Sequence, residues 1–507
     1  MMTTRRLFSL VLVTAGIWCA GCVTDAATDA DARYIPVQRA ATLTAQILTL
    51  RNGDTVTYDV GVIRVPERRD KPDSRMISVE FHRLPASNEA AAAVAPIYWL
   101  RGGPGFGGLG RLLSREGYYE AYLSELTAIA PVVVVGQRGF GESTPMACPP
   151  LPDAELGDVD ERAERLVRFR QGALDCLAAA NAAGVDVEGY TVNELAHDVA
   201  DIAKLLNHDP IQLFGNSFGA HSGMAVISMH PRLVARATLS ALEGPDDTFD
   251  LPRYKRDALV RIATDAESHA ALAQSTPDGG LIAAFEALIA QADAEPFYID
   301  TQHIRTDAKI RLRIDGDALR QLAQGTTRGT QWRYGLKSWP GDISRMLSGD
   351  FSEASRRLQY VWLNTELDNV AGFSMECGSG ISDTRGRLMD AGAGRSLLNP
   401  TRWFASKVCD SWPVDLGQAF RRGFVSSVPV VLVHGDWDTS TPFENAPAFR
   451  KMFTNQHFVH VKGGSHGAYI EATEASPDFA RAMQTWMRTG EREAMPETII
   501  LPAYEWQ

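Results

Sequence analysis

Ser217 has the sequence surroundings of a nucleophile. It is the central residue of segment 215–219, which reads Gly-Asn-Ser-Phe-Gly. A serine hydroxyl attacks a carbonyl at neutral pH only when a histidine takes its proton, an acid orients that histidine and hydrogen-bond donors hold the oxyanion. Glycines on both sides of the serine favour the tight strand-to-helix turn that exposes the hydroxyl. Because the pattern also arises by chance, the alternative is a serine with a structural role in a turn.

Asp438 is the candidate for the acid. It follows the apolar run 430–433, and a carboxylate just beyond the carboxyl end of such a strand would point into a cleft. Asp436, two residues earlier, is the rival, although it could instead simply end the strand. Of the two, the position of Asp438 fits the orienting acid better.

His466 is the candidate for the base. It lies in the glycine-rich segment 463–467, which follows a short apolar run and could bring an imidazole over Ser217. Two other histidines compete with it. His434 precedes the acid, against the chain order Ser, Asp, His that accompanies this serine turn, and His221 lies one helical turn beyond the serine. We therefore predict that His466 moves the proton.

Two backbone N–H groups are predicted to hold the oxyanion. One belongs to Phe218, the residue after the serine, and the other to Gly103 in segment 101–105, which reads Arg-Gly-Gly-Pro-Gly. A phosphate-binding loop is the alternative interpretation of this segment, but Pro104 removes a donor and no Lys-Ser/Thr pair follows. These residues imply neither a metal ion nor an organic cofactor.

The elements around these residues alternate between strands and helices. Residues 54–84 contain two stretches that alternate apolar and polar side chains, which predicts antiparallel strands. The short apolar runs 97–100 and 132–135 predict strands buried on both faces of a parallel sheet. Residues 191–207 have a capping box and helical spacing, and the strand 211–214 leads from them to the serine turn. This order indicates an α/β fold.

This rhythm is lost in the middle of the chain and then returns. Residues 245–424 are irregular and mostly helical in character, which predicts an inserted cap over a cleft. The apolar strands 428–434 and 458–461 and a closing helix at 477–488 follow it. We therefore predict an α/β core in two parts, residues 43–244 and residues 425–507. The cap, residues 245–424, is inserted between them.

Composition and charge exclude some classes of protein. The chain has 507 residues, of which 45% are hydrophobic and 22% charged, as in a folded protein with a large core. Its formal charge is −12, and it contains no run rich in lysine and arginine. Nucleic acid is therefore not an expected partner.

The N-terminal residues are typical of an export signal. Arg5 and Arg6 precede the apolar run 7–18, which is too short to span a bilayer. Removing the first 21 residues would delete both arginines and change the formal charge from −12 to −14. Small residues just before Cys22 resemble a bacterial lipoprotein signal, in which that cysteine is acylated, although Cys19 stands where leucine is usual.

The predicted mature chain therefore begins with a membrane anchor. We expect a signal peptide at 1–22, a flexible tether at 23–42, and a periplasmic or cell-envelope location through a lipid on Cys22. The alternative is ordinary secretion after cleavage at the Ala-Asp-Ala segment 30–32.

Four cysteines remain outside the signal: Cys148, Cys176, Cys377 and Cys409. Export permits disulfides, and four cysteines allow three pairings. Proximity along the sequence favours the first with the second and the third with the fourth. A zinc site is the alternative, but these four cysteines have no C-x-x-C spacing and the histidines have no H-x-x-x-H spacing that would support one.

Taken together, these motifs resemble the proline iminopeptidase and tripeptidyl-aminopeptidase group of α/β-hydrolases. Segment 101–105 resembles that family's His-Gly-Gly-Pro-Gly loop, and segment 137–143, Gln-Arg-Gly-Phe-Gly-Glu-Ser, resembles its Asp-Gln-Arg-Gly segment. Cys377 and Cys409, the latter followed by Asp-Ser-Trp-Pro, resemble the tripeptidyl-aminopeptidase branch. The likeness extends over residues 57–488.

Two positions depart from the family pattern. Arg101 replaces a histidine and Gly136 an aspartate, so the shape and charge of the substrate end are expected to differ. The family binds the free N-terminal amine of a peptide with acidic residues near the cleft. We expect Glu243 to serve this purpose here, with an exposed loop carboxylate as the alternative.

The resemblance implies an α/β-hydrolase fold and a serine peptidase that releases N-terminal residues, proline or short peptides, from a peptide substrate. A carboxylesterase with the same catalytic residues is the first alternative, because neither the fold nor those residues determine the leaving group. The second is a surface-tethered binding protein that kept the fold and lost the chemistry.

Overall fold

The computed structural model describes the residues in these ranges: 41–49, 55–105, 109, 118–151, 156, 161–273, 276–329, 339–363, 369–392, 396–399 and 408–506. The predicted signal peptide with Cys22, and tether residues 23–40, lie outside them. Ala41 and Thr42, which we assigned to the tether, instead pair with the second strand. No helix in the described ranges is long and apolar enough to cross a membrane.

A ten-stranded sheet forms the centre of the fold. The strands are β1 Ala41–Thr49, β2 Thr55–Pro66, β3 Met76–Leu84, β4 Ile97–Leu100, β5 Val132–Val135, β6 Ile211–Ser217, β7 Val234–Leu242, β8 Phe297–Gln302, β9 Lys309–Ile314, β10 Val430–Gly435, β11 Gln456–Lys462 and β12 Thr498–Ile500. Their order in the sheet is β1-β2-β3-β5-β4-β6-β7-β10-β11-β12. The first three strands and β5 pair antiparallel, and the strands from β5 to β12 along the sheet pair parallel. β8 and β9 form a separate hairpin.

Helices lie between the strands. They are α1 Glu89–Ala92, α2 Tyr118–Thr127, α3 Glu161–Ala182, α4 Val192–Leu205, α5 Phe218–Met229, α6 Pro252–Ser268, α7 Ala270–Ala273, α8 Leu281–Ala294, α9 Gly316–Gly329, α10 Trp339–Leu347, α11 Ser352–Trp362, α12 Val370–Ser379, α13 Asp383–Asp390, α14 Gly417–Arg421, α15 Ala446–Arg450, α16 Ala468–Ala475 and α17 Pro477–Thr489. Half of the predicted capping box is present: the Thr191 side chain accepts from the N–H of Glu194 at the start of α4, whereas the Glu194 carboxylate accepts from the N–H and the guanidinium of Arg69.

The central strands are buried on both faces, as their apolar runs predict. In β4, Tyr98 and Leu100 enter one apolar cluster, whereas Ile97 and Trp99 enter a cluster on the opposite face. The parallel pairing of β4 with β5 and β6 brings the carboxyl ends of these strands to one edge of the sheet. Loops that leave that edge are therefore close to one another.

The chain between β7 and β10 forms a large insertion, within which the predicted cap, residues 245–424, falls. A third apolar cluster fills it, and Trp437, just before the candidate acid, packs into that cluster. Residues of α12, however, pack into the same apolar cluster as Tyr98 and Leu100 of the sheet. Part of the insertion therefore belongs to the core of the sheet and not to a separate cap. The expectation of a mostly helical segment missed the β8–β9 hairpin, in which alternate residues of β8 are exposed.

Two disulfides join Cys148 to Cys176 and Cys377 to Cys409, the pairing that sequence proximity favours. The first ties the chain after β5 to α3, and the second ties α12 to the segment ahead of α14. Loops of this length gain about 3 kcal/mol from closure in the chain-entropy model. Two disulfides also suit an oxidising environment outside the cytoplasm.

Candidate active site

Ser217 occupies a sharp turn between β6 and α5. Its φ of 61° and ψ of −129° place a non-glycine residue in a region that costs about 1–3 kcal/mol, which is common at functional sites. The neighbouring glycines are required by close packing. A Cβ on Gly215 would lie 2.3 Å from the carbonyl oxygen of Gly219, and one on Gly219 would lie 2.2 Å from that of Leu100. The turn therefore presents the serine at the carboxyl edge of the sheet.

Asp438 and His466 form a direct pair. Nδ1 of His466 lies 2.8 Å from Oδ2 of Asp438, which is fully buried. Oδ1 of Asp438 accepts from the backbone N–H groups of Ser440 and Thr441, each at 2.8 Å, and the Thr441 hydroxyl donates to Oδ2 at 2.7 Å. Burial would raise the pKa of Asp438, but the adjacent His466, together with His434 and the N–H of Thr441, outweighs burial and lowers the pKa to about 2. The carboxylate therefore stays ionised at neutral pH.

The loop that carries His466, the candidate base, contacts the serine turn. Asn216, next to Ser217, donates from Nδ2 to the backbone oxygen of His466 at 3.4 Å and to the hydroxyl of Ser240 at 3.0 Å. The loop that carries His466 is held by Glu471, whose carboxylate accepts from the N–H of Ser465 at 2.7 Å and from its hydroxyl at 2.5 Å. These contacts fix the histidine backbone beside the serine turn.

Asp436, the rival acid, has other partners. Its Oδ2 lies 3.0 Å from Nε2 of His460, and its Oδ1 accepts from the N–H of Gly463 at 2.8 Å. Gly463 opens the loop that carries His466. Asp436 therefore holds the loop that carries His466, whereas Asp438 contacts the His466 imidazole itself.

The two rival bases are buried with both ring nitrogens in hydrogen bonds. Nδ1 of His434 accepts from the N–H of Leu242 at 3.3 Å and its Nε2 donates to the carbonyl of Thr441 at 2.8 Å, which fixes a neutral ring. His221 contacts the carbonyl of Gly244 at 3.1 Å and the hydroxyl of Ser379 at 3.0 Å. Burial lowers the pKa of both, to about 4 for His221.

The candidate oxyanion loop lies against the serine. A Cβ on Gly102 would be 3.4 Å from the Cβ of Ser217 and 3.9 Å from its hydroxyl oxygen. Gly103 follows with a φ of 117°, which favours glycine, and its peptide bond to Pro104 is cis. Phe218 is the first residue of α5, so its N–H belongs to the helix end that lacks intrahelical partners. Phe218 is therefore adjacent to Ser217, and Gly103 follows the residue of segment 101–105 that lies against it.

The two departures from the family pattern are explained by packing. Arg101 is buried, with its guanidinium 4.8 Å from the centre of the Trp99 indole ring. At Gly136 a Cβ would lie 2.6 Å from the carbonyl oxygen of Glu80 and 2.8 Å from the hydroxyl of Ser143. An aspartate at position 136 would not fit beside these two residues.

Glu243 lies one residue beyond Leu242, which pairs with Ser217 in the register of β6 and β7. Its side chain is half-buried. The glutamate thus leaves the sheet at the same edge as the serine, which is where a group that binds substrate beside the nucleophile would have to lie. In the described residues, no cluster of three or more His, Cys, Asp or Glu side chains could hold a metal ion.

Sequence reasoning missed the residues that hold the reactive ones. Thr441 had a usable signal. Asp438 is of the residue type that commonly accepts from the backbone N–H groups two and three residues later in an Asx turn, and Thr441 lies three residues after it. Glu471 had no comparable local signal, since it acts across a turn. Gln137 opens the segment that resembles the family's Asp-Gln-Arg-Gly motif, but nothing in the sequence shows that it contacts the loop 101–105.

Comparisons with known proteins agree with this architecture. A family model described as alpha/beta hydrolase fold matches residues 96–473. Similar solved structures include a thermophilic esterase from Thermogutta terrifontis, with 15% identity, a TM-score of 0.36 and coverage of 84% of this chain and 98% of that one. An esterase from Exiguobacterium antarcticum has 12% identity, a TM-score of 0.36 and coverage of 82% and 97%. No curated protein matches the sequence.

Proposed function

The chain belongs to the α/β-hydrolase family, and on that premise we propose that it is an exported serine peptidase that releases N-terminal residues from peptides. Ser217 is the nucleophile, His466 the general base and Asp438 the group that orients the base. The observation that carries this assignment is the 2.8 Å contact between Nδ1 of His466 and the buried Asp438, next to a serine held at a φ of 61°.

The proposed reaction proceeds through an acyl-enzyme. Oγ of Ser217 bonds to the carbonyl carbon as its proton passes to Nε2 of His466, and the carbonyl oxygen becomes an oxyanion bound by the N–H groups of Phe218 and Gly103. The tetrahedral intermediate then expels the amine, which takes the proton from His466. A water molecule attacks the ester, gives its proton to His466, and the released Ser217 recovers it. Asp438 remains ionised throughout.

The peptide substrate is proposed from the motif resemblance and from Glu243. A free N-terminal ammonium bound near Glu243 would place the first scissile carbonyls close to Ser217, because the glutamate follows the residue that pairs with the serine. A carboxylate in this position attracts the N-terminal ammonium, and an N-blocked peptide has no such charge to pair with it. Substrate with a free N-terminus is therefore preferred over the blocked form.

Active-site labelling tests the serine chemistry. A fluorophosphonate probe should label the wild-type protein and not Ser217→Ala, because the probe forms its covalent bond with the Oγ of an activated serine and alanine has no such oxygen. An unlabelled wild type, or equal labelling of the variant, would show that Ser217 is not the nucleophile and would favour a binding protein.

Substrate comparison tests the peptidase proposal. Free aminoacyl and tripeptidyl fluorogenic amides, their N-acetyl forms and simple p-nitrophenyl esters should be compared at equal enzyme concentration. We expect KM for free peptides to rise in Glu243→Gln while ester hydrolysis is unchanged. Turnover that ignores N-acetylation, in the wild type, would exclude an aminopeptidase and favour the carboxylesterase.

Attachment to a membrane through Cys22 is the remaining part of the proposal. The two disulfides support export, and the residues before Cys22 resemble a lipoprotein signal. Cys22→Ala should move the protein from the membrane fraction to the soluble fraction of the cell envelope. Unchanged partitioning of this variant would exclude acylation at that residue.

A further inference from the structure

Gln137 contacts the candidate oxyanion loop at three points. It lies just beyond β5, is 2% exposed, and belongs to none of the reactive groups described above. Its Nε2 donates to the carbonyl oxygens of Arg101 at 2.9 Å and Gly102 at 3.1 Å, and its Oε1 accepts from the N–H of Gly105 at 2.8 Å. Both donors and the acceptor of the amide are thus used on a single loop.

These three bonds bracket the residue that is proposed to hold the oxyanion. Gly103 has two bonded residues before it, Arg101 and Gly102, and a bonded residue, Gly105, two positions after it. Gly103 and Gly105 both have positive φ, and the loop's glycines offer no side chains to hold its path. The position of the Gly103 backbone relative to Ser217 therefore depends on a group outside the loop.

The segment that carries Gln137 is firmly anchored. The next residue, Arg138, is fully buried; its Nε and one terminal nitrogen donate to the two carboxylate oxygens of Asp198 at 2.7 and 2.6 Å. The other terminal nitrogen donates to the carbonyls of Glu67 at 2.8 Å and Gly189 at 2.5 Å. A bidentate, buried arginine pair of this kind is rigid. Gln137 is thus fixed to α4 and transmits that fixed position to the loop.

We propose that Gln137 is a positioning residue for the oxyanion hole, which acts by holding the backbone of segment 101–105 against Ser217. The inference rests on the proposed serine-hydrolase function. It assigns to the Gln-Arg-Gly segment a role in transition-state binding. Gln137 fixes the position of the loop 101–105, and Arg138 fixes the position of Gln137. Loss of the amide should therefore weaken binding of the oxyanion more than binding of the substrate.

Gln137→Met tests this, because methionine has a similar length and volume but neither donates nor accepts strong hydrogen bonds. Removing one oxyanion donor costs about 10²–10³-fold in kcat, so a displaced loop should cost about 10–10²-fold with KM changed less than about threefold. The inhibition constant for phenylboronic acid, which forms a tetrahedral anion on the serine, should rise by a similar factor.

Gln212→Met is the matched control. Gln212 is also 2% exposed, donates to the carbonyl of Ala95 at 2.7 Å and accepts from Arg236 at 2.9 Å, but it lies at the opposite end of β6 from Ser217. Its loss should lower the melting temperature as much as Gln137→Met does and leave kcat and boronate inhibition unchanged. An equal loss of kcat in both variants would overturn the proposal, as would a Gln137→Met kcat within threefold of wild type.

Gln137→Glu keeps the shape of the side chain, and it tests the positioning role of Gln137 if Gln137→Met fails to fold. A protonated glutamic acid can donate to one loop carbonyl, whereas a glutamate would repel both carbonyls of Arg101 and Gly102. The kcat of this variant relative to wild type should therefore fall as the pH rises from 6 to about 9. A ratio that stays near one over that range would overturn the proposal. Fluorophosphonate labelling of the wild type keeps the two questions apart: without it the hydrolase function fails, and with it only the role of Gln137 is at issue.

Discussion

Replacement of Thr441 by valine tests how the acid is kept ionised in a fully buried position. The Thr441 hydroxyl donates to Oδ2 of Asp438 at 2.7 Å and lies 3.3 Å from Nδ1 of His466. Valine has nearly the same shape, and it retains the backbone N–H that donates to Oδ1. The substitution therefore removes one hydrogen bond to a charged group, worth about 1.5–3 kcal/mol.

The pH dependence follows from the pKa of Asp438. That pKa is lowered to about 2, against about 3.9 for an unfolded aspartate, a difference worth about 2–3 kcal/mol of stability at neutral pH. Because the folded pKa is the lower one, this stability is present above the unfolded value and is lost as the pH falls through about 2. Thr441→Val should raise the folded pKa, because a donor to the ionised carboxylate is lost, and the carboxylate still stays ionised at pH 7.

Urea unfolding followed by tryptophan fluorescence at pH 7 and pH 3 provides the assay. Thr441→Val should lower the free energy of unfolding by about 1.5–3 kcal/mol at pH 7, with a loss of kcat of about tenfold. The loss of stability should be smaller at pH 3, because the raised pKa of the variant lets part of its carboxylate protonate there while the wild-type carboxylate is still ionised. Thr238→Val is the control, since this buried hydroxyl accepts from the neutral indole N–H of Trp486 at 3.0 Å. Its cost, about 1 kcal/mol, should be the same at both pH values. An equal, pH-independent loss in both variants would refute the reasoning.

Three further substitutions have expected outcomes. Asp438→Asn should lower kcat about 10⁴-fold with little change in KM, measured by steady-state kinetics, and a loss below tenfold would point to another acid. Gly219→Ala should give no active soluble protein, because its Cβ would meet the carbonyl of Leu100 at 2.2 Å; full activity in a labelling assay would show that the turn can open. The double substitution Cys377→Ala, Cys409→Ala should lower the free energy of unfolding by about 2–5 kcal/mol, and an unchanged urea midpoint would mean that the bridge does not constrain the unfolded chain.

The elements that sequence reasoning placed well are those whose burial leaves a local pattern. The strands Ile97–Leu100 and Val132–Val135 match the predicted runs residue for residue, because central strands of a parallel sheet are apolar on both faces and end at glycine-rich loops. β1, Ala41–Thr49, was mostly assigned to the core without being recognised as a strand. Nearly all of its described side chains are exposed, so pairing with β2 alone defines it and no burial pattern marks it.

The candidate reactive residues leave a local sequence pattern, whereas the residues that hold them are defined by contacts between distant segments. Ser217 and His466 lie in glycine-rich turns that repeat across proteins, because the chemistry requires close backbone approach there. Such turns have few side chains of their own, so their geometry must be set by groups from other loops: Gln137 for the oxyanion loop, Glu471 and Asp436 for the base loop. Each of these contacts depends on how the fold brings two segments together. A search for motifs therefore finds the candidate reactive residues, and Gln137 as part of the Gln-Arg-Gly segment, whereas the contacts through which the supporting residues act become visible only when the sheet edge has been assembled.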